Sequence, residues 1–267
     1  MKNLILLFII LGSTVFADSL NLAVSGFYSR GEYNTSQHSN DFSLYTTLSL
    51  NSKYFLSLSG SSIQRNENQW KYNQEMFTGS LYLYEFPYSF QGSYSYIPGK
   101  YVEKTSGYTY HEYGNLIHVS ARKIFPEFIL GFGYSYFTQT GNFSDKTVRS
   151  WEMYLERYLH WRLFASVRPL FTRNYDGAGL FSTTLKVNYL PFYGLFLKFS
   201  LTAGERSHFF DNELFTFHNQ EEKQKFTASI SADYYFGSKF AVSPGFLYTE
   251  FETFKVNYFI VGLKAFF

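Results

Sequence analysis

Apolar and polar residues alternate one by one along most of this chain, and that pattern excludes most folds. In the final segment, Phe259, Val261, Leu263, Ala265 and Phe267 fall on one face. Tyr258, Ile260, Gly262, Lys264 and Phe266 fall on the other. A period of two sends successive side chains to opposite faces of a strand, so one face here is wholly apolar while the other admits a lysine and a glycine. The same interleaving recurs in Phe181, Thr183, Leu185 and Val187 against Ser182, Thr184, Lys186 and Asn188. It recurs again in Phe226, Ala228, Ile230 and Ala232 against Thr227, Ser229, Ser231 and Asp233. About fourteen such segments can be marked, at 19–30, 41–51, 54–65, 74–84, 88–97, 108–123, 128–138, 146–157, 161–173, 179–189, 194–204, 222–236, 240–250 and 255–267. Each is close to the ~10 residues that a tilted strand needs to cross a bilayer.

The N-terminus reads as an export signal. Lys2 gives the positive start, Leu4 to Leu11 the apolar core, and Val15-Phe16-Ala17 a small-residue cleavage site. Cleavage after Ala17 leaves one domain, Asp18 to Phe267. The full chain has 23 basic and 21 acidic residues, so loss of Lys2 leaves 22 against 21, which makes no case for nucleic acid. Cysteine is absent, which removes disulfides and thiolate chemistry. Phe and Tyr are abundant, at 32 and 25 residues, yet no later stretch approaches the ~18 apolar residues of a membrane helix. A chain this aromatic can sit in a membrane without such a stretch when lipid-facing and lumen-facing positions alternate.

The connections alternate in length. Short ones fall at Asn51-Ser52-Lys53, Glu85-Phe86-Pro87, Ile124 to Glu127, Tyr158-Leu159-His160, Leu190 to Tyr193 and Gly237-Ser238-Lys239. Longer, mostly polar ones centre on 31–40, 66–73, 98–107, 139–145, 174–178 and 205–221, and only the last hairpin, near Glu252-Thr253-Phe254, is short on the long side. Outer-membrane barrels have short periplasmic turns and longer outside loops, and an even strand number puts both termini in the periplasm. Tyr54, Tyr88, Phe128, Trp161, Tyr189, Phe236 and Phe240 lie beside the short turns; Tyr28, Tyr94, Tyr96, Tyr134, Tyr136 and Phe171 lie toward the long loops. Two such girdles are expected at the two membrane interfaces. A soluble β-sandwich would also alternate, but has no reason to gather aromatics at both strand ends. The expected fold is therefore an all-β, closed, antiparallel transmembrane barrel of about fourteen strands, with twelve as the nearest alternative.

The faces predicted to point inward are mostly small: Ser57, Ser59 and Ser61; Ser93 and Ser95; Gly131, Gly133 and Ser135; Ser229 and Ser231. With that many strands, water is expected to fill the middle. Arg122, Arg162, Arg168, Lys186 and Lys198 supply inward positive charge, and Glu152, Glu156 and Asp233 negative charge. These charges form either a constriction that selects solutes or a hydrated wall of mutually paired groups. The loop from Glu205 to Glu221, carrying Phe209, Phe210, Phe215 and Phe217, is long enough to fold over the mouth.

Signals for catalysis are weak. His118 and Ser120 share a strand face, as a nucleophile–base pair would, but the register points both into the lumen, away from acyl chains. The other histidines (His38, His111, His160, His208, His218) show no metal-ligand spacing, although His208 and His218 share a loop with Asp211 and Glu213. No cofactor motif is present. Asn142-Phe143-Ser144 matches a glycosylation pattern and reads as loop. One blemish is Asn115, a polar residue that the register turns toward lipid.

Two resemblances add to this. The terminal strand resembles the C-terminal assembly signal of outer-membrane barrels: Gly262 and Phe267 stand where that signal has a glycine and a terminal aromatic, and Ala265 where an aromatic is usual. This implies the barrel-assembly machinery as a partner, beside outer-membrane lipid. The middle of the chain resembles the YaiO-type outer-membrane barrels over about 110–205. Phe128 to Tyr136 is similar to that family's Gly-Tyr-x-Tyr strand, and Trp161 to Pro169 to the following strand ending in Arg-Pro. Lys186-Val187-Asn188-Tyr189 is similar to its basic-then-Tyr strand end. His160 stands where a turn glycine is usual and Ser135 where a basic residue is common. The resemblance implies an outer-membrane barrel without a settled activity. The leading expectation is a passive, porin-like channel for small hydrophilic solutes with weak anion preference. The alternatives are a structural or surface-interaction barrel of the envelope and, on His118 and Ser120 alone, a lipid hydrolase.

Overall fold

The computed structural model describes residues 20–35, 37–50, 53–66, 69–141, 145–211, 216–218 and 222–267. The signal segment, the turn residues Asn51 and Ser52, the Asn142 pattern, Glu213 and Phe215 lie outside them. In chain order the strands are β1 (Leu20–Tyr33), β2 (His38–Leu50), β3 (Tyr54–Asn66), β4 (Trp70–Glu85), β5 (Tyr88–Glu103), β6 (Thr109–Ile124), β7 (Ile129–Gly141) and β8 (Lys146–His160). They continue with β9 (Leu163–Arg173), β10 (Gly179–Phe192), β11 (Leu195–Arg206), β12 (Phe209–Asp211), β13 (Thr216–His218), β14 (Gln224–Phe236), β15 (Phe240–Phe251) and β16 (Lys255–Phe266). Fourteen of them form one closed antiparallel barrel, and β12 and β13 form a separate two-stranded hairpin in the loop after β11.

Closure comes from β1 pairing with β16, from Ala23 opposite Phe266 to Tyr33 opposite Val256. At one end of this seam Phe267 N donates to Leu22 O (2.8 Å) and Leu22 N to Phe267 O (3.0 Å). At the other end Asn34 N donates to Lys255 O at 3.1 Å, and Lys255 N to Asn34 Oδ1 at 2.9 Å. Every strand of the barrel thus has two partners, which is what hydrocarbon demands of a spanning sheet, since an open edge there would leave N–H and C=O groups unpaired. The short turns use glycine where the backbone must turn left-handed: Gly194 has φ 99° and Gly237 φ 67°.

Strict alternation of burial fixes the two faces. Along β6, Glu112, Gly114, Leu116, His118 and Ser120 are buried, while Tyr113, Asn115, Ile117, Val119 and Ala121 between them are exposed. The exposed face carries the lipid-type residues, and Tyr28, Tyr54, Tyr88, Tyr94, Trp161, Phe171, Phe236 and Phe240 stand out from it at the strand ends. Asn115 does face outward. It accepts a hydrogen bond from Tyr94 Oη at 2.7 Å, so its carbonyl is satisfied within the outer aromatic girdle.

Two expectations are corrected. The outside connections are shorter than read, because the strands continue beyond the girdle: β5 runs to Glu103 and β6 starts at Thr109. The inward small residues do not open a uniformly wide lumen, because neighbouring strands fill the space above them. A Cβ at Gly131 would meet Arg122 Cγ at 2.6 Å and Tyr154 Cδ2 at 3.1 Å, and one at Gly133 would meet Tyr154 Oη at 2.7 Å. The outward Gly92 has nothing within 4 Å. The filling is lopsided. From β4 to β9 most inward side chains are buried, Tyr154 and Leu116 almost completely. On β10, β11, β14 and β1–β3, inward groups such as Thr184, Lys186, Ser200, Ser229, Ser43 and Ser57 remain half-exposed.

Candidate functional site

Toward the short-turn end, the inward charges gather into two knots. In the first, Glu156 of β8 accepts from Arg168 Nη2 of β9 at 2.8 Å and from Arg122 Nη1 of β6 at 3.2 Å. Arg168 Nε also donates to Ser166 Oγ at 2.8 Å. Both guanidiniums lie over the Tyr154 ring, Arg122 at 4.5 Å and Arg168 at 5.4 Å from its centroid. Gly131 and Gly133 of β7 make the room for that ring. With Arg168 and Glu156 only 4% and 2% exposed, the pair is shut away from bulk water. Such a pair holds its strands in one arrangement, since neither charge is tolerable without the other.

In the second knot, Asp233 of β14 accepts from Lys198 Nζ of β11 at 2.7 Å, Lys264 Nζ of β16 at 2.8 Å and Ser243 Oγ of β15 at 2.6 Å. Lys186 stands on β10 between the knots, opposite Ser166 on one side and Ser200 on the other. Glu152 is half-buried on the inward face of β8 two residues from Tyr154. Lys264 was not among the charges expected to face the lumen, although the terminal alternation already put it on the inward side. Arg162 is the converse case. It lies in the turn between β8 and β9 rather than on the wall, donating to Pro191 O at 2.9 Å with its guanidinium 4.1 Å from the Trp161 ring centroid.

The outside end is built differently. Met76, Ile97, Leu116, Phe137 and Val148 form a buried apolar cluster on the inward faces of β4 to β8. Tyr33, Phe251, Phe254 and Val256 form a second beside the seam, with the Arg65 guanidinium 5.0 Å from the Tyr33 ring and 5.3 Å from the Phe254 ring. Phe254 explains why the last hairpin can be so short: its side chain turns inward and stacks on Phe251 at 4.5 Å. Above the first cluster, the chain leaving β11 bends inward. Gly204 (φ 105°) lies at a register shift between β11 and β14, so close to β10 that a Cβ there would meet Phe181 O at 2.5 Å. Arg206 hydrogen-bonds to Gln224 and lies 3.8 Å from the Phe209 ring centroid. His208 then reaches across the arc of β10 to β8, its ring 6.0 Å from Phe137 of β7 and 5.8 Å from Tyr175. Ser207, His208 and Phe209 are all buried, so this described part of the loop lies in over the mouth.

His118 and Ser120 both face inward, but His118 Nδ1 bonds to Ser135 Oγ, its cross-strand neighbour on β7, at 2.9 Å. That bond occupies Nδ1 of the ring with a serine other than Ser120. Among the described residues no three His, Asp or Glu side chains are placed to hold a metal ion.

No protein-family model and no curated protein matches the chain. Solved structures do. The CymD monoaromatic hydrocarbon channel superposes with a TM-score of 0.64 at 8% identity, over 94% of this chain and 88% of that one. A Pseudomonas aeruginosa FadL homologue gives 0.59 at 9% identity, over 94% and 91%. The Pseudomonas putida toluene transporter TodX gives 0.58 at 7% identity, over 94% and 89%. At such identities the likeness is one of fold: this is a barrel of the outer-membrane type.

Proposed function

We propose that the protein is a passive channel of an outer membrane, with its water path along the half-exposed wall of β10, β11, β14 and β1–β3 and a weak preference for small anions. One observation carries this reading. Each paired carboxylate is outnumbered two to one, Glu156 by Arg122 and Arg168, and Asp233 by Lys198 and Lys264. Lys186 adds a further cation and Glu152 a further anion, so this end of the lumen keeps a positive excess on a wall of Ser and Thr. A charged lining of one net sign biases permeation in this way. The outer-membrane barrel neighbours, the export signal and the Gly262 and Phe267 terminal strand support the location and assembly through the barrel machinery. The likeness to the YaiO-type family rests on the sequence motifs alone, of which Gly133 and Arg168 belong to the Tyr154 knot.

The test is reversal potential in a planar bilayer under a salt gradient. The expected result is modest anion selectivity that fades at 1 M salt, where the screening length falls to about 3 Å. Lys186→Glu, at a half-exposed site, should move selectivity toward cations without removing conductance. Arg168→Glu is unsuited, because it would set a second carboxylate against buried Glu156. Absence of conductance in any salt would defeat the channel reading and favour a structural barrel.

A second reading is favoured by the apolar outside mouth. Met76, Leu116 and Phe137 pack there beneath His208 as a closed apolar cluster that a small apolar solute would have to part, and the neighbours TodX and CymD are a toluene transporter and a monoaromatic hydrocarbon channel. Toluene entry into proteoliposomes faster than into empty ones would support it.

A further inference from the structure

On the outward face, Arg149 of β8 and Arg173 of β9 are direct cross-strand partners, and both are exposed. Like charges directly opposite each other repel and destabilise a sheet. Among the described residues no carboxylate holds either guanidinium; Arg149 has only the Tyr136 ring, 5.8 Å away. The two line a cleft of about 310 Å³ together with Thr147 and Asn174. Thr147, two residues before Arg149 on the same outward face, adds an exposed hydroxyl beside them. A pair of unneutralised guanidiniums and a hydroxyl thus converge on one space.

The position of this cleft says what can occupy it. The next outward pair down the same two strands is Trp151 opposite Phe171, whose rings are 5.6 Å apart. Below them come Met153 and Leu155, both exposed, and then Arg157, which pairs with Glu127 at 3.8 Å. From Arg149 to Arg157 is eight residues, roughly 26 Å of strand. Tilted by about 40°, that covers most of the ~25 Å apolar band of such barrels. Arg149 and Arg173 therefore stand at the outside boundary of the hydrocarbon, where lipid headgroups lie.

We propose that Arg149 and Arg173 bind the phosphate of an outer-leaflet glycolipid headgroup. The phosphate neutralises the facing guanidiniums through charge-assisted hydrogen bonds. Trp151, Phe171, Met153 and Leu155 directly below give the acyl chains of such a lipid an apolar wall, which inorganic phosphate bound between the arginines would not use. The inference rests on the outer-membrane reading above.

The test inserts the full chain into phosphatidylcholine vesicles doped with bisphosphorylated lipid A or with its dephosphorylated form. The protein is extracted in mild detergent and the retained lipid A counted by mass spectrometry. Arg30→Gln serves as control, because Arg30 is outward at the outside end of β1 but already paired with Glu32 at 3.5 Å. The wild type and Arg30→Gln should retain the phosphorylated form preferentially, and Arg149→Gln/Arg173→Gln should retain roughly tenfold less, as expected for two basic residues at an anionic leaflet. Equal retention of both lipid forms, or an unchanged double variant, in protein that has inserted and runs as a folded heat-modifiable band overturns the inference alone. Displacement of the lipid by inorganic phosphate at matched phosphate concentration overturns the glycolipid assignment in favour of a free-anion site. Protein that stays outside the vesicles overturns the membrane reading, and this inference with it.

Discussion

The ring of Phe27 on β1 occupies the space where Gly262 of β16, its direct partner across the closing seam, would otherwise carry a side chain. Phe27 is held there by an edge-to-face contact with Tyr45 at 5.7 Å. Closure of the barrel thus places an aromatic over a glycine as well as strand against strand.

Gly262→Val should therefore oppose closure, costing about 1–3 kcal/mol as an overpacked core site does. Phe27→Ala should relieve it. The double variant is expected to be more stable than the sum of the single changes implies, and a double-mutant cycle in urea with gel heat-modifiability as readout checks this. Strict additivity would mean that the two side chains do not compete.

Phe267 presents a different balance. The residue is 72% exposed, while its backbone makes two hydrogen bonds to Leu22. Phe267→Ala keeps both bonds and should lower stability little. Deleting Phe267 removes them, at about 1 kcal/mol each. Both changes should lower the folded amount recovered from the outer membrane more than they lower the unfolding midpoint. Equal effects on recovery and midpoint would refute a role in assembly.

Leu201 faces outward between Leu185 and Ala228, farther from the short turns than Leu197 on the same strand. Leu201→Arg is expected to cost roughly 2–4 kcal/mol, the penalty for a cation near the bilayer midplane. Thr202→Ser, one residue along and inward, should be close to neutral. Unfolding of both variants in the same lipid measures the difference, and similar costs would mean the faces are reversed.

The two charge knots should respond unequally. Glu156→Gln leaves buried Arg168 without a counter-charge and should cost about 3–5 kcal/mol. Lys198→Gln removes a side chain that is 37% exposed and leaves Lys264 on Asp233, so it should cost no more than ~1 kcal/mol. Denaturant midpoints decide. A Glu156→Gln variant as stable as Lys198→Gln would show that water reaches the first knot freely.

Strand positions and the sidedness of the barrel were legible because period-two alternation and turn length are local properties. Even the outward Asn115 was placed correctly, though not the Tyr94 hydroxyl that makes it tolerable. What lies above an inward residue is not local. Gly131 and Gly133 read as open space until Tyr154, from the next strand, is seen leaning across them. Arg162 misled because a turn residue beside Trp161 looks in sequence like the first residue of a strand. The inward bend of the loop after β11 depends on Gly204 approaching the backbone of β10, a contact that no spacing encodes.

A hoop of fourteen strands, each bonded only to its two neighbours, resists stretching around its rim but yields easily to squashing across it. The segment from Arg206 to His208 runs inside that rim as a chord, anchored covalently to β11 at one end and seated on Phe137 of β7 at the other. Ovalisation along that line would either pull the histidine from its aromatic seat or drive it into the wall. The outside opening is therefore cross-tied over the arc from β11 to β7, five of its fourteen strands, and no such tie spans the rest of its rim among the described residues.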